Sequence, residues 1–295
     1  MGAFSSMKIV FLGFGEAGRA FARGWDEALR ARATTWDIKL DDPATRGEIA
    51  DACAAIGVAC AQTLSGALDG ASHVFSLVTA DRAREAAAQA AAHLDAGALF
   101  LDCNSCSPAT KRASQAAIEA AGGRYVDVAV MAPVAAALHR TPLLLSGCHA
   151  AEACAALRGF GMRPAVAGDK VGEASAIKML RSVMIKGLEA LTAECMLAAR
   201  RAGVEDAVLA SLQASDPQWN WADRAAYNLE RMMVHGARRA AEMEEVANTI
   251  AELGLPSRMA EATALWQREI AALGLDGGAA DVASRTDRIL RCLES

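Results

Sequence analysis

The stretch KIVFLGFGEAGRAFARG, residues 8–24, decides how the rest of the chain is read. Residues 8–13 form an apolar run, as expected of a strand buried on both faces, and an amphipathic stretch follows the turn after it. Between them stands Gly13-Phe14-Gly15-Glu16-Ala17-Gly18. At a strand-to-helix junction these glycines have separate tasks. Gly13 makes a tight turn, Gly15 leaves room for a pyrophosphate against the backbone, and Gly18 lets the helix pack closely on the strand. The helix N-terminus adds N–H groups and partial positive charge, both suited to phosphate. Residues 13–18 are therefore read as a dinucleotide cradle, with an ordinary tight turn as the alternative.

Outward from this turn the same pattern of apolar run, turn and amphipathic stretch repeats. Candidate strands are 8–13, 34–38, 57–61, 73–78, 98–102, 124–130, 141–146 and 163–167, and Ala-rich segments such as 80–94 and 107–121 favour helix. The alternation predicts an α/β fold, a Rossmann-like, doubly wound, mostly parallel sheet over residues 1–168. Asp37 closes the second candidate strand, 19 residues after Gly18, where a carboxylate accepts hydrogen bonds from adenosine ribose hydroxyls. That favours NAD; a 2′-phosphate would be repelled, although Lys39 offsets part of the repulsion, so NADP stays open. Val78 and Thr79 after the fourth strand, and Asn104 after the fifth, complete the expected cofactor contacts.

Beyond about residue 168 the strand signals stop, so residues 169–295 are expected to form an all-α substrate and dimerisation domain. Val171 to Ala202 reads as one helix of roughly 45 Å, a spine between the two halves. Further breaks fall at Gly203, Asp216-Pro217, Gly254-Leu-Pro256 and Gly274 to Gly278. Near the start of the spine, Lys178 shares a face with Ala174 and Ser182, while Leu180, Met184, Leu188 and Leu191 lie toward another. A helical lysine is ordinarily a solvated one with its stem along the surface. Here it follows directly on the dinucleotide domain, where a helix start can face the crevice beyond the carboxyl ends of parallel strands.

A chain of 295 residues with 53% hydrophobic but only 5% aromatic content can bury a core of Ala, Leu and Val without staples. The net charge of −5, with no run of Lys or Arg, argues against a nucleic-acid partner and for a small molecule. Eight cysteines lack zinc-type pairing, and no secretory leader precedes the first strand, which is the pattern of a reducing cytoplasm. Cys103-Asn-Ser-Cys106 is formally a CxxC but has no companion pair, so no metal is expected. Met1-Gly2 with Ser6 fits a six-residue myristoylation pattern that chance often produces. No apolar run is long enough to span a bilayer, so no membrane partner is expected.

In order along the chain stand the cradle at 13–18, Asp102-Cys-Asn104-Ser105, Asp127-Val-Ala-Val, Thr141 to Gly147, and Gly172 followed by Lys178. Taken together these resemble the β-hydroxyacid dehydrogenases related to 6-phosphogluconate dehydrogenase, over the dinucleotide domain and the spine. The resemblance implies a catalytic lysine, matched by Lys178, and a homodimer. The chain departs from the family at the substrate pocket. Lys178-Met-Leu-Arg-Ser182 replaces Lys-x-x-x-Asn, Met131-Ala132-Pro133 stands where Ser-Gly-Gly is usual, and Ala241-Glu242 replaces Lys-Asp. The C-terminal run from Arg231 to Thr263 looks like a divergent branch with its own phosphogluconate-dehydrogenase-like domain, so sugar-phosphate specificity is not carried over.

The implied reaction is oxidation of a 3-hydroxyacid-like secondary alcohol, with hydride passing to nicotinamide and Lys178 taking the hydroxyl proton; a β-keto product would allow decarboxylation. Desolvation and a neighbouring cationic ring both lower an ammonium pKa toward neutrality, which suits this task. Ser105, Met131, Ala132, Pro133, Ser182, His235 and Arg239 are the candidate substrate contacts, the last two for an anionic group. Ser107 before Pro108 can equally make the 104–107 segment a plain helix-capping turn. Imine reduction and a catalytically silent dinucleotide-binding regulator are the competing functions.

Overall fold

Alternate residues of the first strand enter two different apolar clusters. Ile9 and Phe11 pack with Phe21, Trp25 and Leu157, while Val10 and Leu12 pack with Leu68, Val74 and Phe100. A sheet covered on both faces accounts for the continuous apolar runs in the sequence. The computed structural model describes residues 7–293, so the Met1-Gly2 to Ser6 pattern lies outside the described residues.

Eight strands make one sheet: β1 (Ile9–Leu12), β2 (Ala33–Trp36), β3 (Ala59–Cys60), β4 (His73–Ser76), β5 (Leu99–Asp102), β6 (Arg124–Val130), β7 (Pro142–Ser146) and β8 (Arg163–Gly168). Their order is β3-β2-β1-β4-β5-β6-β7-β8. The strands from β3 to β6 are parallel; β7 runs antiparallel to β6 and β8 parallel to β7. After β1 the chain steps outward to β2 and β3, then returns to β4 on the other side of β1. The reversal opens a crevice at the carboxyl ends of β1 and β4.

Six of the expected strands come out shorter than the sequence suggests, and for two of them the local cause is plain. The 57–61 run reduces to β3 because Gly57 is taken as the left-handed cap of the helix Pro43–Ile56, at φ 80°. The second strand stops at Trp36 because Asp37 turns to accept the Lys39 N–H at 3.0 Å and caps the 3₁₀ turn Ile38–Leu40. The helix expected over 107–121 runs Pro108–Ala120, with Ser107 Oγ accepting the Thr110 N–H.

The chain divides into two compact units, one ending at Lys178 and the other beginning at Met179. The helix Glu173–Arg201 starts in the first unit and continues into the second. The second unit is otherwise built from Glu205–Ser215, Trp221–Glu252, Arg258–Ala272 and Val282–Leu293. Its core gathers Met196, Leu197, Leu229, Met232, Ile270 and Ile289. Among the described residues no helix is long and apolar enough to cross a membrane.

A buried polar cluster fixes where the long helix begins. Asp127, on β6, accepts the N–H groups of Gly172 and Ser175 at 3.1 and 3.0 Å, and the hydroxyls of Ser146 and Ser175. Ser146 Oγ in turn accepts the Ala174 N–H at 3.0 Å. The helix start, whose first N–H groups lack intrahelical acceptors, is thus capped from the sheet, and the carboxylate meets the positive end of the helix dipole. Lys111 lies 3.0 Å from Asp102 and 3.4 Å from Asp127, and all three side chains are fully buried. Burial alone would push the Lys111 amine down, but Asp102 and Asp127 outweigh it and hold the ammonium well above its usual range. Removing one member of such a set leaves the others buried and unmatched, so Asp127→Ala is expected to cost about 3 kcal/mol in urea unfolding. A loss below about 0.5 kcal/mol contradicts this account of the helix start.

Candidate active site

The three glycines of the first turn differ in what surrounds them. Gly13 sits at φ 88°, and a Cβ there would lie 2.6 Å from the Leu77 carbonyl oxygen. A Cβ on Gly18 would lie 3.0 Å from the Gly13 carbonyl oxygen, so helix and turn touch at that point. Gly15 is different. Its φ of −79° suits any residue, and an added Cβ would meet nothing within 4 Å. Packing within the protein gives no reason for glycine at 15, whereas a ligand lying against the backbone does. The N-terminus of the helix Glu16–Gly24 points its first N–H groups at that same space.

A cleft of about 840 Å³ opens here, lined by Gly13, Gly15, Glu16, Asp37, Val78 and Thr79 among others. Its size and its one-sided glycine wall fit an extended nucleotide. Phe14 contributes differently from the expectation that it lines the cofactor. Its ring is buried in the core beside Phe11, and its backbone N–H donates to Asp37 Oδ2 at 2.7 Å. Ala17 and Gly18 lie behind the open face, outside the lining. Asp37 is half-buried at the end of β2, joined to the glycine turn by that bond. Arg19 and Glu48 also line the cleft, as do Val134, Ala135 and Leu138. No motif marked these five, because each reaches the cleft from a helix or loop with no sequence signature of its own.

Asn104 is buried, and its amide is engaged on every side. Its carbonyl oxygen accepts the Val78 N–H at 2.7 Å, and its nitrogen donates to Ser76 Oγ and Asp102 Oδ1 at 2.9 and 2.8 Å. It therefore acts on the cleft by fixing the loop after β4. The next residue, Ser105, accepts a hydrogen bond from Lys178 Nζ at 2.5 Å. Both side chains are half-buried, so the amine is neither a solvated surface group nor sealed in the core. The loop after β5 thus links the cleft rim at Val78 to the Lys178 amine within two residues. Ser107 makes the helix-capping bond that a plain turn would, while Asn104 and Ser105 carry the contacts that a plain turn would not.

The remaining candidates are distributed. Met131 is half-buried, with its N–H on the Pro142 carbonyl at 2.9 Å; Ala132 and Pro133 are exposed, and the cleft is met instead by the next turn at Val134 and Ala135. In the second unit, Ser182 Oγ accepts from Lys186 Nζ at 3.2 Å, and Glu242 holds the same amine at 3.0 Å. Arg239 is buried in a two-pronged pair with Glu189, which also accepts the Gln267 amide at 2.9 Å. Its charge is already matched inside the protein. His235 is half-buried on the same helix. Cys103 and Cys106 are both buried, and burial pushes the Cys103 thiol up to about 12, which leaves it unreactive. All eight cysteines are free. At the surface, Glu119, Cys148 and His149 bring their ligand atoms within 4.8 Å of one another, a grouping with no sequence signal.

Residues 8–159, about half of the chain, match the family described as the NAD binding domain of 6-phosphogluconate dehydrogenase, and residues 199–270 match a domain of unknown function, DUF1932. A conserved hypothetical protein from Sinorhizobium meliloti is 37% identical, with 98% of this chain and 97% of that one covered and a TM-score of 0.78. Another solved protein, described as of unknown function and structurally similar to 3-hydroxyacid dehydrogenases, is 30% identical over 92% of this chain and 100% of that one, TM-score 0.67. The 3-hydroxyisobutyrate dehydrogenase of Mycobacterium tuberculosis shares the fold at 18% identity, with 98% and 99% covered and a TM-score of 0.74. An uncharacterized 28.5 kDa protein of Methanothermus fervidus is 29% identical over 165 residues; the match spans 56% of this chain and 63% of that relative's length. With a family match over half its length and a relative 37% identical along nearly all of it, the chain belongs to the NAD-binding family of 6-phosphogluconate dehydrogenase, in a branch whose second half carries DUF1932.

Proposed function

We propose that the protein oxidises a 3-hydroxyacid-like secondary alcohol at the expense of NAD, with Lys178 Nζ as the group that exchanges the hydroxyl proton. The observation that carries this reading is the 2.5 Å bond between Lys178 Nζ and Ser105 Oγ, on the loop that Asn104 ties to the rim of the nucleotide cleft. The dinucleotide supplies the hydride acceptor when bound. Every other task falls to the chain. The bare backbone at Gly15 and the N-terminus of Glu16–Gly24 receive the pyrophosphate, and Asp37 faces the adenosine ribose. Asn104 holds the loop carrying Val78 and Thr79 against the rest of the crevice.

At the reacting end, Ser105 orients the amine and offers its own hydroxyl to the substrate oxygen. Lys178 in its neutral form takes the proton from that oxygen as hydride leaves carbon, and in reverse its ammonium polarises the carbonyl. Because Arg239 is matched by Glu189, the hydroxyacid reading rests on Lys178 and Ser105 and not on that arginine. The exposed apolar residues Leu180, Met184 and Leu191 along the long helix support a homodimer.

Three measurements test this reading. Turnover of a panel of 3-hydroxyacids, followed by nicotinamide absorbance, is expected to fall at least about 100-fold in Lys178→Met while the NAD dissociation constant stays within about threefold. Near-normal turnover in that variant rejects Lys178, and reduction of cyclic imines without oxidation of any hydroxyacid replaces the alcohol by a C=N bond. Gly15→Ala is expected to unfold within about 1 kcal/mol of wild type, because its Cβ enters open space, yet to weaken NAD binding at least about tenfold. Equal binding removes the pyrophosphate from that position. By light scattering, Met184→Glu with Leu191→Glu is expected to turn a dimer into a monomer; a monomeric wild type contradicts the dimer.

A further inference from the structure

Five residues close a ring of hydrogen bonds at the adenosine end of the cleft. Asp37 accepts the backbone N–H groups of Phe14 and Lys39, at 2.7 and 3.0 Å. Lys39 Nζ donates to Glu48 Oε2 at 3.2 Å, and Arg19 Nη2 donates to Glu48 Oε1 at 2.8 Å. Arg19 Nε completes the circuit on the Phe14 carbonyl at 2.7 Å. The ring holds two cations and two carboxylates, and Arg19, Asp37, Lys39 and Glu48 all line the cleft. We infer that Glu48 sets the preference for a dinucleotide with a free ribose 2′-hydroxyl over one carrying a 2′-phosphate, by occupying the two cations that would otherwise receive that phosphate. The inference rests on the reading of the cleft as a dinucleotide site.

Charge balance matters here more than the strength of either pair. Lys39 and Glu48 are about half exposed, and an exposed ion pair contributes under about 1 kcal/mol. A dianionic phosphate competes well against so weak a bond. When it draws Lys39 or Arg19 away, however, the Glu48 carboxylate is left facing it, beside that of Asp37. Arg19 is further restrained, since its guanidinium bridges Glu48 and the Phe14 carbonyl at once. Its two cationic partners hold Glu48 ionised, below the usual carboxylate range. A neutral 2′-hydroxyl meets none of these obstacles. Asp37 alone repels phosphate with one charge; Glu48 supplies the second and removes the compensation.

The test is the binding of NAD and NADP, measured by calorimetry on the full chain at a fixed ionic strength of about 0.15 M. In Glu48→Gln the NADP dissociation constant is expected to fall about tenfold, the gain of one charge-assisted hydrogen bond, with that for NAD within about twofold. Adding Lys39→Met to Glu48→Gln is expected to cancel most of the gain. Asp69→Asn removes an exposed carboxylate elsewhere on the first unit and is expected to leave both constants unchanged. The inference is overturned if Glu48→Gln leaves NADP binding as it was, if Asp69→Asn matches its effect, or if wild type binds NADP more tightly than NAD. Failure of wild type to bind either dinucleotide overturns the reading of the cleft itself, and with it this assignment.

Discussion

One buried carboxylate, Asp127, ties the start of the long helix, and with it Lys178, to the sheet. It is reached by two backbone N–H groups and by Ser175 at the start of the long helix, by Ser146 on β7 and by the Lys111 ammonium. Lys178 follows Ser175 by three residues, about 4.5 Å along the helix axis. The position of its amine is therefore inherited from the sheet, with little freedom for the helix to slide or turn. An isolated charge in this position would be very costly. Matched on every side, it orders the helix start.

The same economy of placement holds at the cleft. Asn104 spends its amide on Val78, Ser76 and Asp102, so the loops after β4 and β5 are tied to each other. Asp37 ties the glycine turn to the end of β2. These bonds pre-organise a crevice whose inner surface at Gly15 is bare backbone. Preformed geometry lowers the cost of binding, since little ordering remains when a ligand arrives. At the Asp37 end of the cleft two carboxylates stand with two cations, Arg19 and Lys39, both of which are held by Glu48.

Much of this was legible in the sequence, because its signals are local. The glycine turn, the eight strands and the breaks in the helical half all come from apolar periodicity and from glycine or proline at boundaries. Strand ends were less legible where one residue serves two elements, as Gly57 and Asp37 do. Lys178 was found through its place in a series of motifs, and the structure gives it the partner Ser105, 73 residues away in sequence. What sequence reasoning missed depends on pairings between distant elements. Glu48 sits on a helix whose composition says nothing of Arg19 or Lys39. Arg239 reads as an available cation until Glu189, 50 residues earlier, is seen beside it. Met131-Ala132-Pro133 does not itself line the cleft; Val134 and Ala135, which follow it, do.

The central claim is that the Lys178 amine stands where the dinucleotide's reactive ring and the substrate oxygen meet. A crystal structure with NAD and a non-reactive 3-hydroxyacid analogue bound tests it most directly. The account predicts the pyrophosphate over Gly15, the nicotinamide beside Thr79 and Ser105, and the analogue's hydroxyl within about 3.5 Å of Lys178 Nζ. A nicotinamide turned away from the Ser105 loop, or an analogue hydroxyl held by some other group with Lys178 out of reach, would contradict it.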